Sequence, residues 1–298
     1  MSALALRALA RLLALVPLGW LHALAVPLGR SLGWLPWSKN AVVSKNLALC
    51  FPDKTAAERK RLHRDHLVEL ARLGLELGAL AHWSPERLDR HVDTEGWAAI
   101  ERARASGRGI LLVSGHLGNW ELLNLYLSRH LSMATLYRPA ESPGINAFMT
   151  RSRERFGGRM VASGSPAMRQ LLAQLRAGRT AGIAADIQPK KGEGVFVDFF
   201  DTPALTMTLV NRLARRTGCE VILTWAERKR AGKGWVFHFT RAGEAIAGED
   251  PTRALASMHR WLEDAIRQAP AQYLWIYKRF SRRPEGQPPI YEKSRRSG

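Results

Sequence analysis

Residues 111–127 read LLVSGHLGNWELLNLYL, and the change of period inside this stretch limits the fold more than any other feature of the chain. Leu111-Leu112-Val113 has the continuous apolar character of a strand buried on both faces. Ser114-Gly115-His116 ends that run, and beyond Gly118-Asn119 the apolar residues return at helical spacing, opening on Trp120-Glu121. Glycines at 115 and 118 allow a tight reversal between the two elements. A buried strand that feeds a helix through a short turn is the building unit of a parallel sheet with helices on its faces.

The alternation continues downstream. GILLVSG (109–115), MATLYR (133–138), TAGIAAD (180–186), CEVILTWAERK (219–229) and GWVFHFTRAG (234–243) read as strands, and helical stretches fall near 119–129, 144–156, 166–177, 204–217 and 252–267. The expected fold class is α/β: a mostly parallel central sheet flanked by helices, in a single core over 109–281, with an N-terminal membrane-anchoring helical segment. Residues 39–108 carry helical spacing and form a helical front section, with Asp53 or Thr55 as an N-cap and Leu62, Leu67, Leu70, Leu73 and Leu75 among its apolar positions. Residues 282–298, rich in Arg, Lys and Pro, read as a basic tail, on the surface or disordered. No internal repeat and no Gly/Ser/Pro linker divides the chain.

Leu12 to Gly29 passes without a formal charge, between Arg7 and Arg11 on one side and Arg30 on the other, and Pro17 and Pro27 interrupt it. A helix needs roughly 17–25 apolar residues to span a bilayer, so this stretch is at the lower limit. A cleaved signal peptide at Ala23-Leu24-Ala25, a buried core hairpin and a membrane anchor all fit an apolar run of this length. The preferred reading is an anchor over 1–38 that spans the bilayer or dips into it; with cations on both flanks the positive-inside signal is ambiguous, which suits a helix lying in the interface.

Composition narrows the class of partner. Of 298 residues, 46% are apolar and ten are tryptophan, which excludes general disorder and supplies a sizeable core. Forty-five Lys plus Arg against 26 Asp plus Glu give a formal charge of +19, a field that attracts nucleic acid, acidic headgroups or phosphorylated glycolipids. Cys50 and Cys219 have neither disulfide-framework nor zinc-site spacing. A reducing compartment fits.

On a continuous helix His116 and Glu121 would point about 140° apart, so they meet only if His116 precedes the helix, as the glycine turn permits. A carboxylate on one ring nitrogen fixes the tautomer and leaves the other nitrogen as a general base. Ser114 lies outside a G-x-S-x-G elbow and no cysteine is near; if His116 is a base, the proton is expected from a substrate hydroxyl or amine, with direct group transfer to that acceptor as the hypothesis. The spacing alone describes a structural histidine with a capping glutamate better than it describes a catalytic pair. H-E-x-x-H is absent and no third ligand is suggested, so no metal is expected. Arg151, Arg153, Arg155 and Arg159 form either a solvated basic face or a site for phosphate or an oxyanion. Asp186 ends an apolar strand, where open α/β sheets place their sites, and a turn or helix-capping role fits it as well. Phe196, Phe199 and Phe200 alternate as core residues do.

GHLGNWE resembles the H-x4-[DE] motif of the lysophospholipid acyltransferase superfamily, in the form found in the bacterial lipid A late acyltransferases, the lauroyl and myristoyl transferases. The similarity extends in order through KNLALCFP (45–52), LYRPAESPGINAFMTRSRERFGG (136–158), GIAADIQPKKGEGVFVDFFDTPALT (182–206) and QYLWIYKRF (272–280). It implies an acyl-ACP-dependent O-acyltransferase that moves a fatty acyl chain from acyl carrier protein to a hydroxyl of an anionic membrane glycolipid, a Kdo-lipid A precursor first of all. No further cofactor and no acyl-enzyme are implied. His116 and Glu121 become the catalytic dyad, and Arg155 ahead of Arg153, with Asp186, Asn119 and Thr202, the substrate-binding residues. Trp275 and Tyr277 are read as structural, with Lys278 and Arg279 available to phosphate. The implied place is the bacterial inner membrane, with the catalytic domain on the cytoplasmic face and against the inner leaflet. Ile187 after Asp186, and the acidic Asp198 and Asp201, depart from the family pattern and bear on the acceptor contacts. The same chemistry on another lipid, such as a phosphatidylinositol mannoside, is the alternative. A non-catalytic basic membrane or nucleic-acid-binding protein would leave His116 and Glu121 without purpose, and with no nucleic-acid motif present no such partner is expected.

Overall fold

A computed structural model describes residues 3–190 and 192–291. The chain opens with a helical front: α1 (Ala3–Leu15), α2 (Leu18–Leu32), α3 (Ser38–Cys50), α4 (Ala56–Leu80) and the short α5 (Pro85–Asp89). Strands and helices then alternate as β1 (Val92–Glu95), α6 (Trp97–Ala105), β2 (Ile110–Ser114), α7 (Trp120–His130), β3 (Met133–Tyr137), α8 (Pro143–Glu154), β4 (Arg159–Ala162), α9 (Ser165–Arg176) and β5 (Thr180–Ala184). A hairpin of β6 (Gly194–Phe199) and β7 (Thr202–Met207) follows, then α10 (Leu209–Thr217), β8 (Glu220–Arg228), β9 (Trp235–Arg241) and α11 (Pro251–Gln268).

Seven strands form one sheet in the order β1-β9-β8-β2-β5-β3-β4, in which only β8 and β9 run antiparallel. The α/β class and the mostly parallel sheet expected from the alternation are present, and β2, β3, β5, β8 and β9 are the five strands read from the sequence. The central strands are apolar throughout because helices cover both faces. Ile110 and Leu112 pack with Leu122, Leu125 and Phe237 on one side, and Leu111 and Val113 pack with Leu171, Leu213 and Leu255 on the other, as the two-residue strand period requires.

The edges differ from expectation. β1 and β4 are short and largely solvent-facing, so neither carries the apolar run by which the central strands are recognised. The helix expected over 204–217 begins only at Leu209, because TPALTM pairs antiparallel with GVFVDF. Within that hairpin Phe199 and Phe200 are buried and Phe196 is at the surface.

In the front section Thr55, rather than Asp53, caps α4. Its hydroxyl accepts from Glu58 N–H and the Glu58 carboxylate accepts from Thr55 N–H at 2.7 Å, a reciprocal capping box. Leu62, Leu67 and Leu73 are buried and Leu70 and Leu75 partly so.

The uncharged N-terminal stretch is divided between α1 and α2, which meet at 120° beside Pro17. No single helix among the described residues is long and apolar enough to cross a membrane. α2 lays Leu18, Leu21, His22, Ala25 and Gly29 inward and packs on α4. The approach is close enough that a Cβ on Gly29 would lie 2.4 Å from Val68 Cα. The opposite surface keeps Leu12, Leu15, Trp20, Leu24, Trp34 and Leu35 exposed. The stretch is thus neither a wholly buried hairpin nor one straight apolar rod.

At the other end residues 282–291 run irregularly over the surface and are pinned where the Tyr291 hydroxyl donates to Asn46 Oδ1. The remainder of the expected basic tail, 292–298, lies outside the described residues.

Candidate active site

β2 and β5 are parallel neighbours in register, with Ser114 opposite Ala184. Two residues past each of these positions, at the carboxyl ends of the strands, stand His116 and Asp186. Asp186 grips His116 twice: Oδ2 accepts the His116 backbone N–H at 2.8 Å and Oδ1 lies 2.7 Å from the imidazole Nδ1. With a carboxylate on Nδ1, that nitrogen carries the proton and Nε2 is the basic one. Nε2 makes no hydrogen bond among the described residues. The His116 side chain is 20% exposed, whereas Asp186 is 4% exposed. Trp120 meets the ring edge-on at 4.8 Å between centroids.

This arrangement corrects the expected dyad. Asn119 caps α7, its Oδ1 accepting from Leu122 N–H at 2.9 Å, and so sets the helix going at Trp120 with Glu121 aimed toward α8. There Arg153 closes on Glu121 through two hydrogen bonds, Nε to Oε2 at 2.7 Å and Nη2 to Oε1. Glu121 therefore acts on His116 through its charge and not through a hydrogen bond.

Electrostatics reinforces the geometry. Burial works against the imidazolium, but Asp186 first and Glu121 after it outweigh that effect and hold His116 above the ordinary histidine value. Burial likewise opposes ionisation of Asp186, yet His116, with Arg279 behind it, keeps the carboxyl below its ordinary range. Tyr273 is fully buried facing Asp186, and burial pushes its phenol well above the ordinary value. Asp186 thus stays ionised and His116 is a strengthened base.

The other expected site residues divide clearly. Arg153, the second choice within the R-x-R segment, faces the site. Arg155, the first choice, spends its guanidinium on structure: its Nη1 and Nη2 donate to the carbonyls of Trp83 and Leu80 at 2.6 and 2.7 Å and secure the end of α4. No carboxylate offsets that burial, which draws Arg155 down to about 10. Asn119 is fully buried, with Oδ1 on Leu122 and Nδ2 on Glu76 Oε2 at 2.8 Å, so neither end is offered to a substrate. Thr202 stands beside the hairpin turn opposite Phe199, and among the described residues it has no hydrogen bond to His116, Asp186 or Arg153. Arg279 is enclosed, donating to Leu205 O and Thr206 Oγ1 at 2.7 Å each, and so is not a surface phosphate ligand. Trp275 is structural as expected, its Nε1 donating to Pro270 O. Among the described residues no group of three or more His, Cys, Asp or Glu could hold a metal ion.

Beside the dyad the Arg153 guanidinium lies 5.9 Å from the centre of the Tyr137 ring. Tyr137 also lines an open groove of about 550 Å3 with Asn146, Thr150, Arg151, Glu154 and Arg155. The turn that carries His116 is fixed from behind. Leu274 N–H donates to His116 O at 3.0 Å, Gly118 N–H to Gln272 O at 3.1 Å and Asn119 N–H to Ala226 O at 3.1 Å. Gly118 has φ +64°, and a Cβ there would fall 1.6 Å from Ala226 O, so this position is restricted to glycine by both backbone and space. Tyr273 and Gln272 escaped notice in the sequence because their contacts depend on a segment more than 150 residues from the turn. Only their place in QYLWIYKRF signalled them.

A strand-end imidazole held by a buried aspartate, near an acid–arginine pair, is suited to taking a proton from an acceptor. The model of the bacterial lipid A biosynthesis acyltransferases matches residues 3–282. The chain is 29% identical over 251 residues to the lipid A biosynthesis lauroyltransferase of Escherichia coli K12, covering 84% of this chain and 81% of that enzyme. It is 28% identical over 254 residues to the palmitoleoyltransferase of the same organism, covering 85% and 82%. To the myristoyltransferase of that organism it is 24% identical over 284 residues, covering 94% and 87%. The match spans the front helices, the sheet and the segment behind the His116 turn, and the chain belongs to the bacterial lipid A biosynthesis acyltransferase family.

Proposed function

We propose that the protein transfers a fatty acyl chain from the thioester of acyl carrier protein to a hydroxyl of a membrane glycolipid, a Kdo-containing lipid A precursor. The observation that carries this reading is the double grip of Asp186 on His116, which leaves Nε2 as the basic nitrogen, without a hydrogen-bond partner among the described residues. In the proposed step Nε2 takes the proton of the acceptor hydroxyl as that oxygen attacks the thioester carbonyl. The tetrahedral oxyanion collapses, the C–S bond breaks, and the imidazolium returns its proton to the departing thiolate. Asp186 fixes the tautomer and stabilises the imidazolium. Glu121 holds Arg153 by Nε and Nη2, which leaves Nη1 to meet an anionic group of the acceptor. An enzyme-borne nucleophile draws no support: Cys50 and Cys219 are buried, and Ser114 Oγ donates to Gly115 O at 3.2 Å.

The same reading places the protein on the cytoplasmic face of the inner membrane. α1 packs on α8, the helix of Arg153, so the exposed apolar side of the hairpin would lie in the interface near the active-site side of the molecule. A +19 chain adds attraction for acidic carrier protein and anionic lipid. The test is transfer of a radiolabelled acyl group from acyl-ACP to Kdo2-lipid IVA by the purified enzyme. Transfer only to other lipids rejects this acceptor, and transfer to none rejects the reaction.

A further inference from the structure

A cluster of buried charges beneath the catalytic turn takes no part in the proton transfers described above. At its centre is Glu76 of α4, 1% exposed. Its Oε1 accepts from Arg228 Nε at 2.6 Å and lies 2.6 Å from His22 Nε2; its Oε2 accepts from Arg228 Nη2 at 2.6 Å and from Asn119 Nδ2 at 2.8 Å. Arg228, equally buried at the end of β8, places Nη1 on Glu69 Oε2 at 2.7 Å. Its main chain holds both ends of the Gln272 amide, N–H to Oε1 at 2.8 Å and O from Nε2 at 3.0 Å. Taking such charges out of water is costly, and apolar side chains of similar volume often serve stability as well or better. A cluster of this kind gives direction, since each oxygen of Glu76 is committed to specific donors.

Asn119 is where that direction reaches the site. Glu76 orients its amide, the other end of the amide caps α7, and α7 presents Glu121 to Arg153 one residue inside the helix. On the far side of Glu76, His22 belongs to the α1–α2 hairpin. Resting on the acyl-transfer reading of this site, we propose that Glu76 is a positioning residue for the reaction, acting through Asn119 on the α7 start and its Glu121–Arg153 pair, and that His22 makes the N-terminal hairpin part of the same support.

Glu76 itself is a poor first target, because its loss strands the Arg228 charge and threatens the fold. Asn119→Ser keeps a capping oxygen but is too short to reach Glu76. His22→Leu fills the same space without a donor, and His22→Gln restores a nitrogen near the position of Nε2. The experiment uses the full-length enzyme in detergent micelles with acyl-ACP and the lipid A precursor. It reads kcat, both KM values, thermal unfolding and the nitrogen NMR signals of the His116 ring. We expect Asn119→Ser and His22→Leu each to lower kcat roughly tenfold or more, the scale set by sub-ångström misplacement of reacting groups, with both KM values held. Unfolding should stay near wild type, and His22→Gln should recover kcat. Retention of wild-type kcat in His22→Leu and Asn119→Ser overturns the proposal, as does loss of kcat only in proportion to lost folded protein. If Asn119→Ser does not fold, the Leu and Gln variants at His22 decide alone. Wild-type enzyme without acyl transfer rejects the functional reading instead; His116 ring signals that move in the variants then still support the positioning, and unmoved signals overturn it.

Discussion

Replacing Asp186 with Asn isolates what the carboxylate does at nearly constant volume. The two contacts of Asp186 have different demands: the His116 backbone N–H at 2.8 Å requires an acceptor, and the imidazole Nδ1 at 2.7 Å is matched to one. Asparagine has only one acceptor. If its oxygen stays on the backbone N–H, its NH2 faces Nδ1, and the ring must place its proton on Nε2, where it can no longer accept one from the acceptor. Loss of the correct tautomer in a His–Asp pair costs about 10³–10⁴ in rate, equivalent to about 4–5.5 kcal/mol of barrier. The charge change adds a second signature. In the wild type Asp186 is the foremost influence raising His116, so the active, unprotonated base is lost as pH falls through a midpoint above the ordinary value. Asp186→Asn moves that acid limb to lower pH while kcat falls. The assay is kcat/KM against pH with acyl-ACP and the lipid acceptor at saturating second substrate. Asp186→Asn within about tenfold of wild type, alongside a Glu121→Gln variant that is inactive and has the shifted limb, would refute the assignment of Asp186 and return the dyad to Glu121.

Three further outcomes are expected. Arg153→Ala lowers transfer activity with little change in thermal stability, whereas Arg155→Ala frees the carbonyls of Leu80 and Trp83 and lowers stability by about 1–3 kcal/mol, measured by denaturant unfolding beside kinetics. Gly118→Ala meets both a left-handed φ and the Ala226 carbonyl, so it destabilises by about 2–4 kcal/mol or shifts the turn and abolishes activity, as unfolding and kinetics on one preparation will show. Trp20→Ser with Leu24→Ser weakens sedimentation with anionic vesicles while transfer to detergent-dispersed acceptor persists; vesicle binding equal to wild type would exclude the exposed side of α2 as the membrane contact.

The features legible in the sequence are those with local causes. β2 and β5 announced themselves because burial on both faces leaves a nearly unbroken apolar run, β9 because its buried residues alternate, and the α4 cap lay among two candidates four residues or fewer from the helix start. β1 and β4 lacked that signal because strands at the sheet edge face solvent, and the β6–β7 hairpin lacked it because TPALTM becomes a strand only against its partner. The site follows the same division. His116 stands out as a break in an apolar run, and the glycine turn together with the H-x4-[DE] resemblance joins it to Glu121, five residues on. The actual contact lies 70 residues away and is set by the register of Ser114 against Ala184. Strand ends carry the information: Asp186 is legible as a strand-terminal carboxylate, whereas the adjacency of β2 and β5 depends on the sheet order. The choice of Arg155 over Arg153 failed for a related reason. Which of two arginines two residues apart faces the site depends on where α4 ends, since the Leu80 and Trp83 carbonyls claim Arg155.

The pairing observed also fits the charge demands of the proposed reaction better than a His116–Glu121 contact would. Among the groups that act on the dyad, Asp186 and Glu121 are anions, while Arg153 and Arg279 are cations. With His116 neutral these fixed charges cancel, so a neutral hydroxyl and a neutral thioester approach without a net opposing field. As the proton moves to Nε2 the site gains one positive charge at the moment the carbonyl oxygen gains one negative charge, and the low-dielectric surroundings strengthen their attraction. If Glu121 lay on the imidazole instead, Arg153 would lose its bidentate partner and stand as an uncompensated cation close to the proton being transferred, depressing the base. Separating the two carboxylates, Asp186 for the imidazole and Glu121 for the guanidinium, lets the site hold a strong base near a charge-compensated arginine that keeps Nη1 for an anionic group of the acceptor.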